Sequence, residues 1–182
     1  ISLNDGDCVI DIGANIGLFT LFVQQQCKNT SVYAFEPSPP AFKVLDINTS
    51  LYGSDVKVFN CGLSDEAKEA SFTFYEKSSV FSSFNADVEQ DEKAIRAVVQ
   101  NMLKQNGPTD PGDLDKFVDE LMAGRLESKS FVCQLISLSD VIRDNNIQQI
   151  DLLKIDAEKS ELDILKGIEA GDWSKIKQIV IE

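Results

Sequence analysis

The sequence predicts an α/β domain built on a mostly parallel β-sheet with helices on both faces. Apolar, strand-like runs alternate with helical patterns along most of the 182 residues. The first run, 7–12, leads into a glycine-containing turn at 11–17, and a helical pattern follows over 18–26. Because each helix carries the chain back across the sheet, this alternation favours parallel strands. We therefore expect a single domain over 1–182.

Two further strands with a helix between them are predicted in the first half of the chain. Residues 31–36 (SVYAFE) and 56–61 (VKVFNC) are rich in β-branched and aromatic residues, which favour strands. Pro39 and Pro40 fit the first turn of the helix between them, where the missing N–H of proline costs nothing. Residues 62–66 are expected to form a turn.

The second half of the chain continues with four more strands and two short helices. The strands are predicted at 70–75, 130–138, 150–155 and 176–181, and the helices at 139–143 and 158–168. The run at 150–155 (IDLLKI) is almost continuously apolar, as expected of a central strand in a parallel sheet.

A helical hairpin is predicted between these strands, as an insert over 87–125. Apolar residues recur at helical spacing over 87–105 and 114–122, and a glycine- and proline-rich stretch at 106–112 separates the two patterns. Two interpretations stay open. The insert adds core or an oligomer interface, or it covers the carboxyl edge of the sheet as a lid.

Charge and cysteine usage restrict the partners and the compartment. Lysine and arginine total 17 against 30 aspartates and glutamates, and the formal net charge of -13 repels nucleic acid and anionic membranes. No signal peptide or spanning run is visible. Cys8, Cys27, Cys61 and Cys133 lie far apart without metal or redox spacing, which favours free thiols and a cytoplasmic location.

The glycine turn indicates which ligand the sheet edge binds. Gly13 and Gly17 let the backbone turn sharply, but Asn15 and Leu18 occupy the other two glycine positions of the dinucleotide fingerprint. Asp11 precedes the turn and can pair with a cation. S-adenosylmethionine carries an ammonium and a sulfonium but no phosphate, so an acidic strand end suits it.

A carboxylate at the end of the second strand supports the same ligand. Glu36 closes that strand, where a carboxylate can accept both ribose hydroxyls, and Pro37 fixes the direction of the chain behind it. The loop at 61–63, after the third strand, is expected to lie against the adenine. The alternative is that Glu36 only caps a helix.

Three segments resemble the FkbM-type S-adenosylmethionine-dependent methyltransferases. They are DIGANIGLFT (11–20), YAFEPSPPAFKVLDIN (33–48) and LLKIDAEKSELDILKGI (152–168). The resemblance implies a Rossmann-like class I methyltransferase fold and methylation of hydroxyl groups on small molecules. The insert and the AFEPSPPAF run look more like methyltransferase domains embedded in modular polyketide or non-ribosomal peptide synthases.

The resemblance also implies a set of site residues. The expected cofactor-binding residues are Asp11, Gly13, Ala14, Asn15, Gly17, Glu36, Pro37, Cys61, Gly62 and Leu63. The KID-E-G segment of the family matches Lys154, Ile155, Asp156 and Glu158, but Lys159 stands in place of the glycine. The chain ends at Glu182, so the last strands of the class I fold are expected to be missing.

An alcohol acceptor needs a base, and this sequence has no histidine. The candidate catalytic residues are Asp156, Glu158 and, if neutral, Lys154. Asp156 could instead hold the cofactor ammonium, Lys154 could pair with a carboxylate, and Glu158 could complement a helix dipole. Ser82, Ser83 and Lys159 are candidate substrate contacts. A divalent metal held by Asp156, Glu158 and Glu182 is a less favoured alternative.

The leading hypothesis is therefore an O-methyltransferase acting on a small-molecule or carrier-tethered hydroxyl, either on its own or as part of a larger multidomain synthase. The alternatives are an inactive or truncated methyltransferase fold that only binds, and a nicotinamide-dependent oxidoreductase, which the missing glycines disfavour. Neither nucleic acid nor membrane is expected as a partner.

Overall fold

The computed structural model describes residues 1–52, 55–106, 118–122 and 127–182. Its strands are β1 (Cys8–Ile12), β2 (Ser31–Phe35), β3 (Val56–Phe59), β4 (Gly62–Leu63), β5 (Lys68–Tyr75), β6 (Ser128–Ile136), β7 (Leu152–Ile155) and β8 (Ile179–Ile181). Its named α-helices are α1 (Leu18–Gln26), α2 (Pro39–Tyr52), α3 (Val88–Asn106), α4 (Leu138–Asp144) and α5 (Glu161–Lys166), with 3-10 turns at Ser79–Phe81 and Trp173–Lys175.

The main sheet has five strands in the order β3-β2-β1-β7-β8, and every pairing within it is parallel. This confirms the predicted α/β class. The chain first builds outward from β1 to β2 and β3, then returns to add β7 and β8 on the other side. The order therefore reverses between β1 and β7, and ligands bind at the carboxyl ends of strands at such a reversal.

A second, three-stranded sheet has the order β4-β6-β5. The long strands β5 and β6 run antiparallel, with Lys68 opposite Leu135 at one end and Tyr75 opposite Ser128 at the other. Gly62 and Leu63 pair with the end of β6, so the turn predicted at 62–66 is wrong at its start. The reason is packing, because Leu63 is buried in the main core.

Local chemistry explains where the helices begin. α2 starts at Pro39, as predicted. The strand predicted to reach residue 138 stops earlier, because Ser137 forms a capping box with Asp140 and starts α4. The helix predicted from residue 158 starts at Glu161, because Lys159 has a φ of 63°, which a right-handed helix does not allow.

The core lies between the main sheet and the helices. Its largest cluster joins strand residues such as Ile10, Phe35 and Leu153 to α4. α1 buries Thr20 and Val23. Leu18 and Phe22 are 68% and 51% exposed, so these two apolar residues of α1 do not pack on the sheet. No helix within the described ranges is long and apolar enough to cross a membrane.

The insert leaves the second sheet after Tyr75 and returns to it at Ser128. α3 confirms the first predicted helix, and residues 118–122 are helical. The two segments pack through a cluster of Ile95, Val99, Val118 and Met122. Most of the predicted breaker at 106–112, and the start of the second helix, lie outside the described residues.

The four cysteines are free thiols, as expected, and two of them are buried. The two buried cysteines are Cys27 and Cys133. Cys8 and Cys61 are half-buried, and this burial raises the pKa of each thiol to about 11. A thiol with so high a pKa carries little thiolate at neutral pH and is a poor nucleophile. The cysteines therefore act as small apolar side chains in this fold.

Candidate functional site

A cavity of about 210 Å3 opens where β1, β2 and β7 end, and the second sheet and the segment before α3 form its far wall. Its lining combines three groups of residues. The strand ends contribute Ile12, Gly13, Asn15, Glu36, Pro37, Ser38, Asp156, Ala157 and Glu158, the second sheet contributes Gly62, Leu63, Phe72 and Phe74, and the segment before α3 contributes Ser79, Ser82, Ser83 and Phe84.

Gly13 joins three strand ends at the floor of this cavity. The N–H groups of Gly13 and Ala14 both donate to the carbonyl of Phe35, at 3.0 Å each. Gly13 has a φ of 77°, and a Cβ at this position would lie 1.8 Å from the carbonyl oxygen of Asp156. A residue with a side chain cannot fit without moving the β7 end, so the close approach requires glycine.

Glu36 follows β2 directly and is 6% exposed. Its Oε2 accepts a hydrogen bond from the Asn15 backbone N–H at 2.9 Å, and its Oε1 accepts one from the Ser38 N–H at 2.8 Å. Burial nevertheless raises the pKa of Glu36 to about 7. The carboxyl is therefore fixed by two backbone N–H groups, and it faces a cavity in which it can accept further hydrogen bonds.

Asn60 is a site residue that the sequence analysis missed. Its side-chain amide donates to the carbonyls of Glu36 at 2.9 Å and Pro37 at 3.2 Å, and so fixes the backbone that carries the carboxylate. The position of Asn60 in the sequence could have identified it. Asn60 directly follows β3, and Phe59 is in register with Phe35, so Asn60 lies beside Glu36.

Asp11 lies within β1 and is fully buried. It accepts a hydrogen bond from the Thr20 hydroxyl at 2.7 Å, and its other oxygen lies 3.3 Å from Nζ of Lys154. Lys154 also contacts Asp156 at 2.9 Å. Asp11 was expected to reach a ligand cation. It is absent from the cavity lining because the sheet encloses it, and it contacts Lys154 instead.

Lys154 is held as a cation by its two carboxylate neighbours. Burial alone would lower the pKa of Lys154, but the charge of Asp11 and the hydrogen bond to Asp156 outweigh it and raise the pKa above its ordinary value. A neutral amine is therefore not available at neutral pH. This counts against Lys154 as a base and favours the alternative of pairing with carboxylates.

The loop after β7 places two carboxyl groups at the cavity. Asp156 is anchored by Lys154, and Glu158 lies beyond it. Burial, followed by the negative charges of Asp156, Glu161 and Glu182, raises the pKa of Glu158 above the ordinary carboxyl value. A raised pKa makes a carboxylate a better proton acceptor near neutral pH. No cluster able to hold a metal ion occurs within the described residues.

The structure therefore divides the predicted cofactor residues into two groups. Gly13, Asn15, Glu36, Pro37, Gly62 and Leu63 line the cavity, whereas Asp11, Ala14, Gly17 and Cys61 do not. Gly17 has a φ of 88° at the start of α1, where a Cβ would lie 2.8 Å from Leu45. Its role is to bring α1 close to α2.

The aromatic wall was not predicted as part of the site. Phe72 and Phe74 point to the same face of β5, and Phe84 packs edge-on against Phe72 with ring centroids 4.9 Å apart. The alternation of 70–75 predicted the strand, but nothing local in the sequence shows that this strand pairs in a second sheet facing the glycine turn. Ser82 and Ser83, predicted as substrate contacts, lie on this wall.

A parallel sheet with a ligand cavity at its switch point, floored by a glycine turn and a buried carboxylate, defines a Rossmann-like α/β enzyme domain. The family model for the methyltransferase FkbM domain matches residues 11–182. The chain therefore belongs to the FkbM methyltransferase family, which confirms the resemblance noted in its sequence.

Individual relatives agree with this assignment. The chain is 38% identical over 176 residues to the AMB antimetabolite synthetase AmbE of Pseudomonas aeruginosa, covering 96% of the chain and 8% of that protein. It is 37% identical over 182 residues to the 31-O-demethyl-FK506 methyltransferase FkbM of Streptomyces tacrolimicus, covering 100% of the chain and 67% of that protein.

A solved structure supports the fold. The methyltransferase FkbM from Methylobacillus flagellatus superposes with a TM-score of 0.52 at 17% identity, covering 92% of this chain and 30% of that one. At this identity the likeness concerns the fold alone.

The residues of the cavity fit the methyl donor that such a family implies. Among the described residues, the Ser38 hydroxyl is buried without a hydrogen-bond partner, and it lies in the cavity lining beside Glu36. Buried hydroxyls are normally satisfied, so this one fits a polar ligand next to the Glu36 carboxylate. Asp156 and Glu158 give the other end of the cavity an acidic character that suits a cationic ligand.

Proposed function

We propose that this domain is an S-adenosylmethionine-dependent methyltransferase that methylates a hydroxyl on a small-molecule or carrier-tethered polyketide or peptide intermediate. The observation that carries the proposal is Glu36. Its carboxyl is buried, fixed by two backbone N–H groups, and aimed into a cavity at the switch point of the sheet. A carboxylate in this position recognises the two hydroxyls of a ribose.

The other cofactor contacts follow from the same geometry. The Gly13 backbone and Asn15 would lie along the methionine part, Glu36 and Ser38 along the ribose, and Gly62 with Leu63 along the adenine. When bound, S-adenosylmethionine supplies a methyl group that its sulfonium already activates. The protein then mainly has to align the acceptor oxygen with that methyl group.

Asp156 and Glu158 have different environments, which favours different roles. Asp156 is paired with Lys154, so it would serve as a fixed anion that holds the ammonium of the cofactor. Glu158 has a raised pKa, lines the cavity, and forms no ion pair with any lysine or arginine in the part of the chain that the structure describes. It would accept the proton of the acceptor hydroxyl as general base.

The residues of the opposite wall of the cavity favour a neutral, partly apolar acceptor. Phe72, Phe74 and Phe84 offer an apolar surface, and the serine hydroxyls of that wall can orient a polar group. No lysine or arginine of the described segments lines the cavity, so an acceptor with its own negative charge there would lack a partner. The name of the Streptomyces relative denotes an O-methylation, which supports an oxygen acceptor.

The proposal of a larger synthase rests on relative length. The match to AmbE occupies 8% of that synthetase, as expected of one domain among many. Within the described residues, three basic side chains of the insert region are already paired, since Lys93 contacts Glu89, Arg96 contacts Asp119, and Lys129 contacts Glu76. A carrier protein would therefore have to dock by something other than a broad basic surface.

Calorimetry with S-adenosylhomocysteine tests the cofactor assignment. We expect the wild type to bind it and Glu36→Ala to lose most of the affinity, whereas Glu66→Ala, at an exposed position, binds normally. Wild-type protein that does not bind it would refute the assignment. Binding without transfer of a radiolabelled methyl group by the full-length protein to any hydroxyl acceptor would favour a binding module instead.

A further inference from the structure

Two loops face each other across the mouth of the cavity. One is the segment before α3, residues 78–85, and the other is the loop after β7, residues 156–160. The first carries the serines and Phe84 of the apolar wall, and the second carries Asp156 and Glu158. Their relative position therefore sets the distance between a bound acceptor and the proposed base.

Asp91, in the first turn of α3, links the start of that helix to the loop after β7. It is 2% exposed, although it is charged and belongs to the insert. Its Oδ2 accepts hydrogen bonds from the Tyr75 hydroxyl and the Asp87 N–H, each at 3.1 Å. Its Oδ1 lies 2.7 Å from Nζ of Lys159.

The backbone of the β7 loop is held by the same region. The Ser83 hydroxyl donates to the carbonyl of Glu158 at 2.8 Å, and the Asn85 side chain donates to the carbonyl of Lys159 at 3.0 Å. Lys159 itself has a φ of 63°. A left-handed conformation is disfavoured at any residue with a side chain, so the surrounding contacts must maintain it.

We propose that Lys159 and Asp91 form a clasp that positions Glu158 against the acceptor wall. The clasp consists of the ion pair and the two hydrogen bonds from Ser83 and Asn85. Lys159 and Asp91 are thus positioning residues, and they anchor the start of α3 to the loop that carries Glu158. The inference rests on the proposed function for the role of Glu158, but the clasp itself is defined by contacts alone.

The clasp also keeps one positive charge beside Glu158. The carboxyl faces three negative groups, Asp156, Glu161 and Glu182, all of which raise its pKa, and the Lys159 ammonium, which lowers it. Asp91 binds that ammonium from the insert side and so fixes its place. Loss of the Lys159 charge should therefore raise the pKa of Glu158 further.

The first test measures the titration of Glu158 by carbon-detected NMR in the wild type and in Lys159→Met. Because Lys159→Met leaves the buried Asp91 carboxylate without its cation, circular dichroism first checks that this variant is folded, and the double variant Asp91→Asn/Lys159→Met, which removes both charges, is measured beside it. We expect a higher titration midpoint in Lys159→Met and recovery of the wild-type midpoint in Lys159→Arg. An unchanged midpoint in Lys159→Met would refute the electrostatic part of the clasp.

The second test measures amide hydrogen exchange in the two loops. Asp91→Asn and Lys159→Met should each lower the protection of residues 78–85 and 156–160 by about tenfold, the effect of losing roughly one hydrogen bond. The control is Glu89→Gln, which breaks the exposed Glu89–Lys93 pair in the same helix. Protection that is unchanged in both variants, or lowered equally by the control, would refute the clasp.

Affinity for S-adenosylhomocysteine separates this inference from the proposed function. Because the clasp contacts the acceptor side, Lys159→Met should bind S-adenosylhomocysteine within about twofold of the wild type. If the wild type fails to bind it, the proposed function falls, while the exchange experiment still decides whether the clasp exists. A large loss of binding in Lys159→Met would contradict the inference, because it would show that Lys159 supports cofactor binding rather than the position of Glu158.

Discussion

The raised pKa of Glu36 predicts that cofactor binding strengthens as the pH rises through neutrality. The free protein holds the Glu36 proton up to a pKa of about 7, because the carboxyl is buried. Ribose hydroxyls donate hydrogen bonds, which favour the ionised carboxylate and lower its pKa in the complex. Binding should therefore release a proton wherever Glu36 is protonated in the free protein.

The size of the effect follows from that pKa. At pH 6 about one tenth of the free protein carries an ionised Glu36, and at pH 8 about nine tenths does. If the ionised form binds, the dissociation constant of S-adenosylhomocysteine should fall about tenfold over this range. A factor of ten corresponds to about 1.4 kcal/mol of binding free energy.

Isothermal titration calorimetry at pH 6 and pH 8 measures both quantities. Repeating each titration in buffers of different ionisation enthalpy gives the number of protons released, which should be close to one at pH 6 and close to zero at pH 8. Glu36→Gln should bind more weakly and with no pH dependence. Glu158→Gln, which also removes a carboxyl with a raised pKa, should keep the wild-type dependence.

A dissociation constant that is constant from pH 6 to pH 8 would contradict this reasoning. It would mean that Glu36 is ionised already in the free protein or that the ribose does not contact it. A pH dependence of binding that vanishes in Glu158→Gln and persists in Glu36→Gln would show that Glu158, and not Glu36, is the group that titrates.

Three further predictions concern the framework of the site. Gly13→Ala should lower the free energy of unfolding by more than about 2 kcal/mol in chemical denaturation, because its Cβ would overlap the Asp156 carbonyl, whereas Gly171→Ala, with open space around it, should be nearly neutral. Lys154→Met should lower the free energy of unfolding by about 3 to 5 kcal/mol in the same assay, because it leaves the buried Asp11 carboxylate without its cation. A separate thermal melt in which the midpoint falls by less than about 2 °C would contradict this. Asn60→Ala should weaken S-adenosylhomocysteine binding while leaving the denaturation midpoint almost unchanged; the reverse pattern would show a purely structural role.

Local patterns were sufficient to predict the main sheet. Hydrophobic runs identified every strand of that sheet, and the glycine turn together with Glu36 identified the edge at which the cavity lies. These features depend on residues that are close in sequence, because the βαβ unit places successive strands side by side. The position of Glu36 at the cavity follows from this rule.

Contacts between distant segments could not be predicted. The pairing of Asp11 with Lys154 joins residues far apart in the chain, and nothing near Asp11 shows that β7 will lie beside β1 rather than elsewhere. The pairing of Gly62 and Leu63 with β6 is of the same kind. Such contacts depend on strand order, and the same local pattern is compatible with several orders.

Lys159 shows a different limit. The sequence indicated only that a lysine stands where the resembling family has a glycine. The left-handed backbone that glycine would favour is nevertheless present, with a φ of 63°. A hydrogen bond from Asn85 and the ion pair with Asp91 maintain this backbone conformation. Contacts with residues more than 60 positions earlier in the chain therefore outweigh the low propensity of lysine for it.

The insert could be exchanged by protein engineering because of where it joins the second sheet. The chain leaves at Tyr75 and re-enters at Ser128, and these two residues are paired neighbours. A short hairpin turn could close that gap, and inserts of other lengths could replace the present one without altering the register of β5 and β6. Grafting at this junction would exchange the segment between β5 and β6 while the five-stranded sheet and its glycine turn stay the same, which offers a direct route to hybrid domains.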